Sequence, residues 1–366
     1  MMPTSGSGDG LAARLRARIA EHGPITFAEF MDAALYDPDE GFYSRLVVGE
    51  EGDFVTSPHI SPLFGSLVAR QVEDFWDLLD RPDPFTVVEV GASVGTLAHQ
   101  VLGAVIPPVW QSIRYVAVER SGEARETARS TGLEVAPMLS DVPAGAAGCV
   151  LANELLDNLP FHRVRGTGEG IVELFVALED ERFVLREGPP SSDEIRRWTP
   201  QLSPGQDGVV NLEALRFLDS AGALLDRGYV WVVDYGFDLA GASSVHGYRG
   251  HRLEEDVLAQ PGSRDITAGV DFGALAEHAH SLDLSIWGPV TQREALFALG
   301  YAEWEEAARS AQAEYLSERR GIQAMRTFSD RNRARMLIDP GGPGGFYVMC
   351  FGVRTGDRPP QAFRNA

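Results

Sequence analysis

The sequence predicts an α/β fold: a Rossmann-like, mostly parallel sheet with helices on both faces, plus a helical N-terminal part and insertions. Three observations predict it. Short runs that are apolar throughout, as strands buried on both faces are, alternate with helical segments. The first such run ends in a turn of small residues that opens a helix. The 366 residues, 44% hydrophobic and 23% charged, suffice for a large core without disulfides or metals.

The elements follow in order. Residues 11–21 read as a helix. Thr26 with Glu29 three residues on is a capping-box pattern that opens a second helix to about residue 34. Residues 41–62 are rich in Gly, Ser and Pro and read as a loop, and 63–79 as a longer helix. Residues 85–90, 115–118, 148–151 and 229–233 are the buried strands, with helices at 97–104 and 123–130 between the first three. Residues 164–185 alternate apolar and polar positions around two turn signals, which predicts an inserted antiparallel meander within about 161–190. Residues 302–335 read as a helical insertion and 346–353 as a last core strand. The expected organisation is a helical cap over 1–80 and a core over 81–300. A helical insertion over 301–340 and a final strand with its tail over 341–366 complete it.

Composition narrows the function classes. All 32 basic residues are arginine, and a phosphate-binding loop of the Walker type, a pyridoxal-phosphate enzyme and a kinase each need a lysine. A net charge of −21 without a basic patch argues against a nucleic-acid partner, because a phosphate backbone would be repelled. The arginines between 309 and 335 are interrupted by acids and read as solvated helix faces. No stretch approaches the roughly 20 apolar residues that span a bilayer, so no membrane insertion is expected. The first ten residues are small and polar, with no apolar signal-peptide core, and the expected location is cytoplasmic. The two cysteines read as buried hydrophobes, and the eight histidines show no metal spacing, so no metal is expected. Oligomeric state is left open.

Three segments carry chemistry. The turn Gly91-Ala92-Ser93-Val94-Gly95 lets backbone amides and a helix N-terminus approach a ligand. Glu119 stands 28 residues after Gly91 at the end of the next strand, where a carboxylate accepts both hydroxyls of an adenosine ribose. Ser93 and Thr96 occupy the later glycine positions of a dinucleotide fingerprint, which weakens a nicotinamide cofactor and leaves S-adenosylmethionine. The third segment, Asn153-Glu154-Leu155-Leu156-Asp157, follows a buried strand, where polar groups line the crevice of an open sheet. If a helix starts there, Glu154 and Asp157 share one face. The segment from Gly52 to Ser61, with Thr56 and Ser57, is too polar for a core and is expected to cover the cofactor.

These motifs belong to a longer ordered set. It begins with Gly23-Pro24-Ile25-Thr26-Phe27-Ala28-Glu29-Phe30-Met31, Tyr36-Asp37-Pro38 and Gly41-Phe42-Tyr43. Gly52-Asp53-Phe54-Val55-Thr56-Ser57-Pro58-His59-Ile60-Ser61 and the run from Ala152 to Pro160 with His162-Arg163 follow. Asp234-Tyr235-Gly236, Arg249-Gly250-His251-Arg252, Asp265-Ile266-Thr267-Ala268, Val270-Asp271-Phe272 and Thr291-Gln292 complete it. In these the chain resembles, over nearly its whole length, the MidA-like methyltransferase family, whose eukaryotic members are mitochondrial complex I assembly factors that methylate arginine. The resemblance implies a class I methyltransferase core that uses S-adenosylmethionine. The cofactor would lie against Gly91, Ala92, Ser93, Gly95, Glu119, Asn153, Glu154, Thr56 and Ser57. Glu154 and Asp157 would orient a guanidinium on a protein partner with a basic segment. The family turn usually reads Gly-Pro-Gly-Arg-Gly, so Ser93 replaces its middle glycine; His59 stands where Glu is usual and Arg293 where Gly is usual. The rival readings are a non-catalytic assembly protein, a small-molecule methyltransferase and a nicotinamide-dependent oxidoreductase.

Overall fold

The computed structural model describes residues 9–45, 56–237, 245–249, 252–254 and 256–364. A seven-stranded sheet forms its centre, in the order Ser285–Thr291, Tyr347–Val353, Leu225–Asp234, Ala146–Asn153, Phe85–Val90, Ile113–Val118, Glu134–Ala136. The last five run parallel, and Tyr347–Val353 is antiparallel to both neighbours. The chain order reverses beside Phe85–Val90, so a crevice opens at the carboxyl ends of the central strands. The fold is the mostly parallel α/β architecture expected.

The alternation of strand side chains builds two cores. Val87, Tyr115, Leu151 and Trp231 face one side and pack with the helices Leu63–Leu78 and Thr96–Ala104. Val88, Val116, Val150 and Val230 face the other and pack with Leu212–Leu224 and Phe272–Ser281. The four central strands Phe85–Val90, Ile113–Val118, Ala146–Asn153 and Leu225–Asp234 are covered on both faces, which is why their buried stretches read as mostly apolar.

A third core joins the N-terminal helices Asp9–His22 and Phe27–Tyr36 to the inserted sheet. Thr26 caps the second helix through a closed capping box with Glu29. The meander His162–Thr167, Gly170–Glu179, Arg182–Gly188 acquires two strands that periodicity did not reveal, Ile25–Thr26 and Asp207–Val210. These have two and four residues, too short to show a period.

Two expectations are corrected here. The helix Leu63–Leu78, grouped with the cap on sequence, packs on the central sheet, because Phe64, Leu67, Val72 and Phe75 complete one core face. Residues 41–62 are not simply a loop: Phe42–Arg45 and Ser57–Ile60 are short helical turns, the second admitted by Pro58 near its start. The covering role expected of Gly52 to Val55 lies outside the described residues.

Candidate active site

The small-residue turn does what its composition suggests. Gly91 and Gly95 adopt φ of 74° and 85°, and a Cβ on Gly95 would come within 2.4 Å of the Leu133 side chain. Ser93, in the place of the family's middle glycine, also has positive φ, 50°. A left-handed serine costs about 1–2 kcal/mol relative to its ordinary conformation. Ser93→Val is therefore expected to lower the melting temperature, by about 1–2 kcal/mol of stability, since β-branching opposes this conformation further. Ser93→Gly is expected to hold it, the relieved strain offsetting glycine's greater chain entropy. Thermal melts of both variants decide this.

Glu119 closes the turn from beneath. Its carboxylate accepts from the amides of Ser93 (2.8 Å) and Ser121 (2.6 Å) and borders a cavity of about 1180 Å³. Burial pushes its pKa up, while the two amides pull against that rise.

Beyond Asn153 the chain leaves the sheet abruptly. Glu154 has φ of 51° and only Leu156–Asn158 form a single 3-10 turn, so the helical face expected to carry Glu154 and Asp157 does not exist. The turn is fixed instead by Asp234, fully buried at the next strand end, whose carboxylate accepts from the amides of Leu155 (3.1 Å), Leu156 (2.7 Å) and Tyr235 (2.8 Å). Glu154 and Asp157 still border the same cavity. Glu154 accepts from the Ser57 amide at 2.8 Å and the Asn153 side chain at 3.2 Å. Asp157 accepts from the Thr267 hydroxyl at 2.7 Å through Oδ2, and its Oδ1 is buried without an N–H donor.

A third wall comes from far along the chain. The three-stranded sheet Val245–Arg249, Arg252–Glu254, Asp265–Ala268 delivers Asp265 and Thr267. Asp265 accepts from Tyr43 Oη (2.9 Å) and Asn158 Nδ2 (2.9 Å), and Tyr36 stacks on Tyr43 at 5.5 Å. Burial pushes Glu154 and Asp265 up to about 7 and Asp157 up to about 6, with carboxylate neighbours adding to the rise for Glu154 and Asp265. Asp234 is raised well above the usual range by burial and by Asp157.

Of the residues singled out in sequence, Thr56, Gly91, Ser93, Glu119, Glu154 and Asp157 border the cavity. Ala92 does not: it is 3% exposed and packs in the core behind the turn. Gly95 is the N-cap of Thr96–Ala104, while Ser57 and Asn153 stand behind Glu154 as its hydrogen-bond donors. The residues that sequence reasoning left without a role are Tyr36, Tyr43, Asp265, Thr267 and His59, all on the cavity wall. Each sits in a motif of the resemblance, which was the available signal. His59 bridges the hydroxyls of Thr56 (2.9 Å) and Thr96 (3.1 Å), and burial lowers its pKa.

The cavity suits an adenosyl cofactor on its own terms. An acidic acceptor sits at the second strand end, Met138 and Leu139 line an apolar flank, and Ser93 Oγ is buried without a partner beside the turn. A family model of S-adenosyl-L-methionine-dependent methyltransferases matches residues 67–290. The chain belongs to this family. A mouse relative, the mitochondrial protein arginine methyltransferase NDUFAF7, is 32% identical over 328 residues, 78% of this chain and 73% of that protein. Its human counterpart is 31% identical, with 78% and 72% covered. A crystal structure of a Burkholderia thailandensis protein bound to S-adenosyl-homocysteine is 26% identical and superposes with a TM-score of 0.84 over 100% of this chain and 98% of that one.

The protein is thus an S-adenosylmethionine-dependent methyltransferase with the Rossmann-like core. The expected cytoplasmic location is overturned, because these relatives are mitochondrial proteins. No helix among the described residues is long and apolar enough to cross a membrane.

Proposed function

We propose that this family member methylates the guanidinium of an arginine in a protein partner with a basic segment. One observation carries the reading: Asp157, whose Oδ1 is buried without an N–H donor and which stands against the buried Asp234 carboxyl, lies on the cavity wall that also holds Glu154 and Asp265. Carboxylates crowded in this way repel one another unless a cation sits among them, and a planar guanidinium satisfies two at once. What the cofactor supplies when bound is an activated methyl group. Glu119 would hold its ribose, the Gly91 turn would admit its backbone-side edge, and Glu154 would accept from its ammonium. Asp157, with Glu154, would accept the guanidinium N–H groups and aim one nitrogen along the transfer direction, so that position and electrostatics do the work. The stacked Tyr36 and Tyr43 border the same cavity and would flank that position. The arginine methyltransferase relatives support the same acceptor.

The test is incubation of the protein with labelled cofactor and a lysate, followed by hydrolysis of labelled bands. Label on arginine is the expected result. Cofactor binding with label on small molecules alone, or nowhere, overturns the reading in favour of a small-molecule acceptor or a non-catalytic assembly protein.

The raised carboxyls fix the pH dependence. A protonated carboxyl cannot hold a guanidinium, so kcat/KM for the acceptor is expected to rise with pH to a plateau, its midpoint lying between 6 and 7 as a property of the coupled group. Stability runs the other way. The folded carboxyls keep their protons to higher pH than unfolded ones near ~4, so their contribution is present below about pH 4 and lost as pH rises through 6 to 7. Melting temperatures of the ligand-free protein from pH 5 to 8 check the sign.

A further inference from the structure

The strand His162–Thr167 begins on the cavity wall, and a buried acid stands behind its first residue. His162 Nδ1 lies 2.8 Å from Oε1 of Glu173, which is 0% exposed on the neighbouring strand Gly170–Glu179. The other oxygen, Oε2, accepts from the Ser191 amide at 2.6 Å. Burial pushes the Glu173 pKa up, but the bonds from His162 and Ser191 outweigh it and hold the group below its ordinary value, as a carboxylate. A carboxylate only accepts. The His162 hydrogen therefore sits on Nδ1, and Nε2 presents its lone pair. Nε2 makes no hydrogen bond among the described residues. The two strands are joined by their own ladder, with Val164 opposite Glu173, so what the buried pair adds is a fixed direction and tautomer for the ring.

The wall beside this ring leads to the cofactor side of the cavity. Leu139 opens the turn Leu139–Asp141, which packs on the helix Leu212–Leu224. That helix is capped by Asn211, the residue after the strand Asp207–Val210, and Val210 pairs with His162. Met138, Leu139, Glu213 and His162 border the same cavity as Glu119. The carboxylates near the ring are turned to other groups: Glu29 accepts from Arg18 and Thr26, Asp32 from Arg120, and Glu213 from Arg216. Of these acceptors, His162 Nε2 is the one without a donor.

We propose that His162 Nε2 accepts a hydrogen bond from the 6-amino group of the cofactor's adenine and so selects adenine over a 6-oxo purine, with Glu173 as the positioning residue that sets the tautomer. The ribose lies on Glu119, the purine against Met138 and Leu139, and its amino edge toward the start of His162–Thr167. A 6-oxo purine brings a carbonyl oxygen to the same place, where two lone pairs face each other with no proton between them. The assignment concerns the cofactor alone and holds for any methyl acceptor.

Calorimetric titration at about pH 8, where an imidazole is neutral, tests it with two probes. These are S-adenosylhomocysteine and S-inosylhomocysteine, which has a carbonyl oxygen in place of the amino group. Wild type is expected to bind the adenosyl compound more tightly by about tenfold or more. His162→Asn keeps an N–H donor for Glu173, so no buried acid is left unpaired, but it has no atom at the place of Nε2. Its two Kd values are expected to lie within about threefold of each other. Glu173→Gln tests the tautomer. The Ser191 amide keeps the glutamine oxygen, so the glutamine NH2 faces Nδ1 and the ring hydrogen moves to Nε2. The preference is then expected to turn toward the inosyl compound. A pair that only braced the strands would weaken both ligands alike and leave their ratio unchanged. Equal binding of the two compounds by wild type overturns the proposal, and so does the wild-type ratio in His162→Asn. The wild-type ratio in Glu173→Gln removes Glu173 from its positioning role.

Discussion

Glu119→Ala is expected to weaken S-adenosylhomocysteine binding by about 1.5–3 kcal/mol, roughly a 10- to 150-fold rise in Kd. Two losses combine. The first is the proposed charge-assisted acceptor for the ribose hydroxyls. The second is internal: the carboxylate holds the amides of Ser93 and Ser121, so its removal frees the left-handed turn that shapes the cofactor side of the cavity. Glu119→Gln, which keeps one acceptor oxygen, should fall between wild type and alanine. Calorimetric titration measures all three proteins. An unchanged Kd in a folded alanine variant removes Glu119 from the cofactor site.

The second large effect is expected at Asp157. Asp157→Asn should lower methyl transfer at least tenfold, about 1.4 kcal/mol of transition-state stabilisation, with cofactor affinity kept. The asparagine retains an oxygen for the Thr267 hydroxyl, so the wall survives. Its amide then points an N–H donor where Oδ1 now stands without one, toward a cation that can only donate. The change removes attraction without removing volume. Single-turnover rates at saturating cofactor separate this from a binding defect, and a variant as fast as wild type takes Asp157 out of the reaction. Glu154 is a less direct probe, since it is bonded to Ser57 and Asn153 and its loss would disturb both walls.

The strands were legible because burial on both faces makes them largely apolar, with buried Thr86 and Glu89 the exceptions in the first. Residues 85–90 read as they fold, and Leu225–Asp234 was found through its apolar centre. The inserted meander was legible for the opposite reason, because one of its faces is wet and its residues alternate. The strands Ser285–Thr291, Glu134–Ala136 and Asp265–Ala268 were not legible. They are short or lie at edges, and the partner of Ser285–Thr291 is supplied by the distant strand Tyr347–Val353.

The sequence by itself determined the alternation of strands and helices, the small-residue turn, the acid after the second strand and the family to which these belong. Local chemistry sets each: backbone sterics require glycine at Gly91 and Gly95, and double-sided burial requires largely apolar runs. The tertiary structure decided which polar groups meet. Spacing suggested that a helix aligns Glu154 with Asp157, yet it is buried Asp234, 77 residues beyond Asp157, that bends the chain so that both border the cavity. Asp265 and Tyr43 lie 222 residues apart and share a hydrogen bond. Such convergence leaves no periodic trace, because a carboxylate's pKa and partners depend on what folds against it.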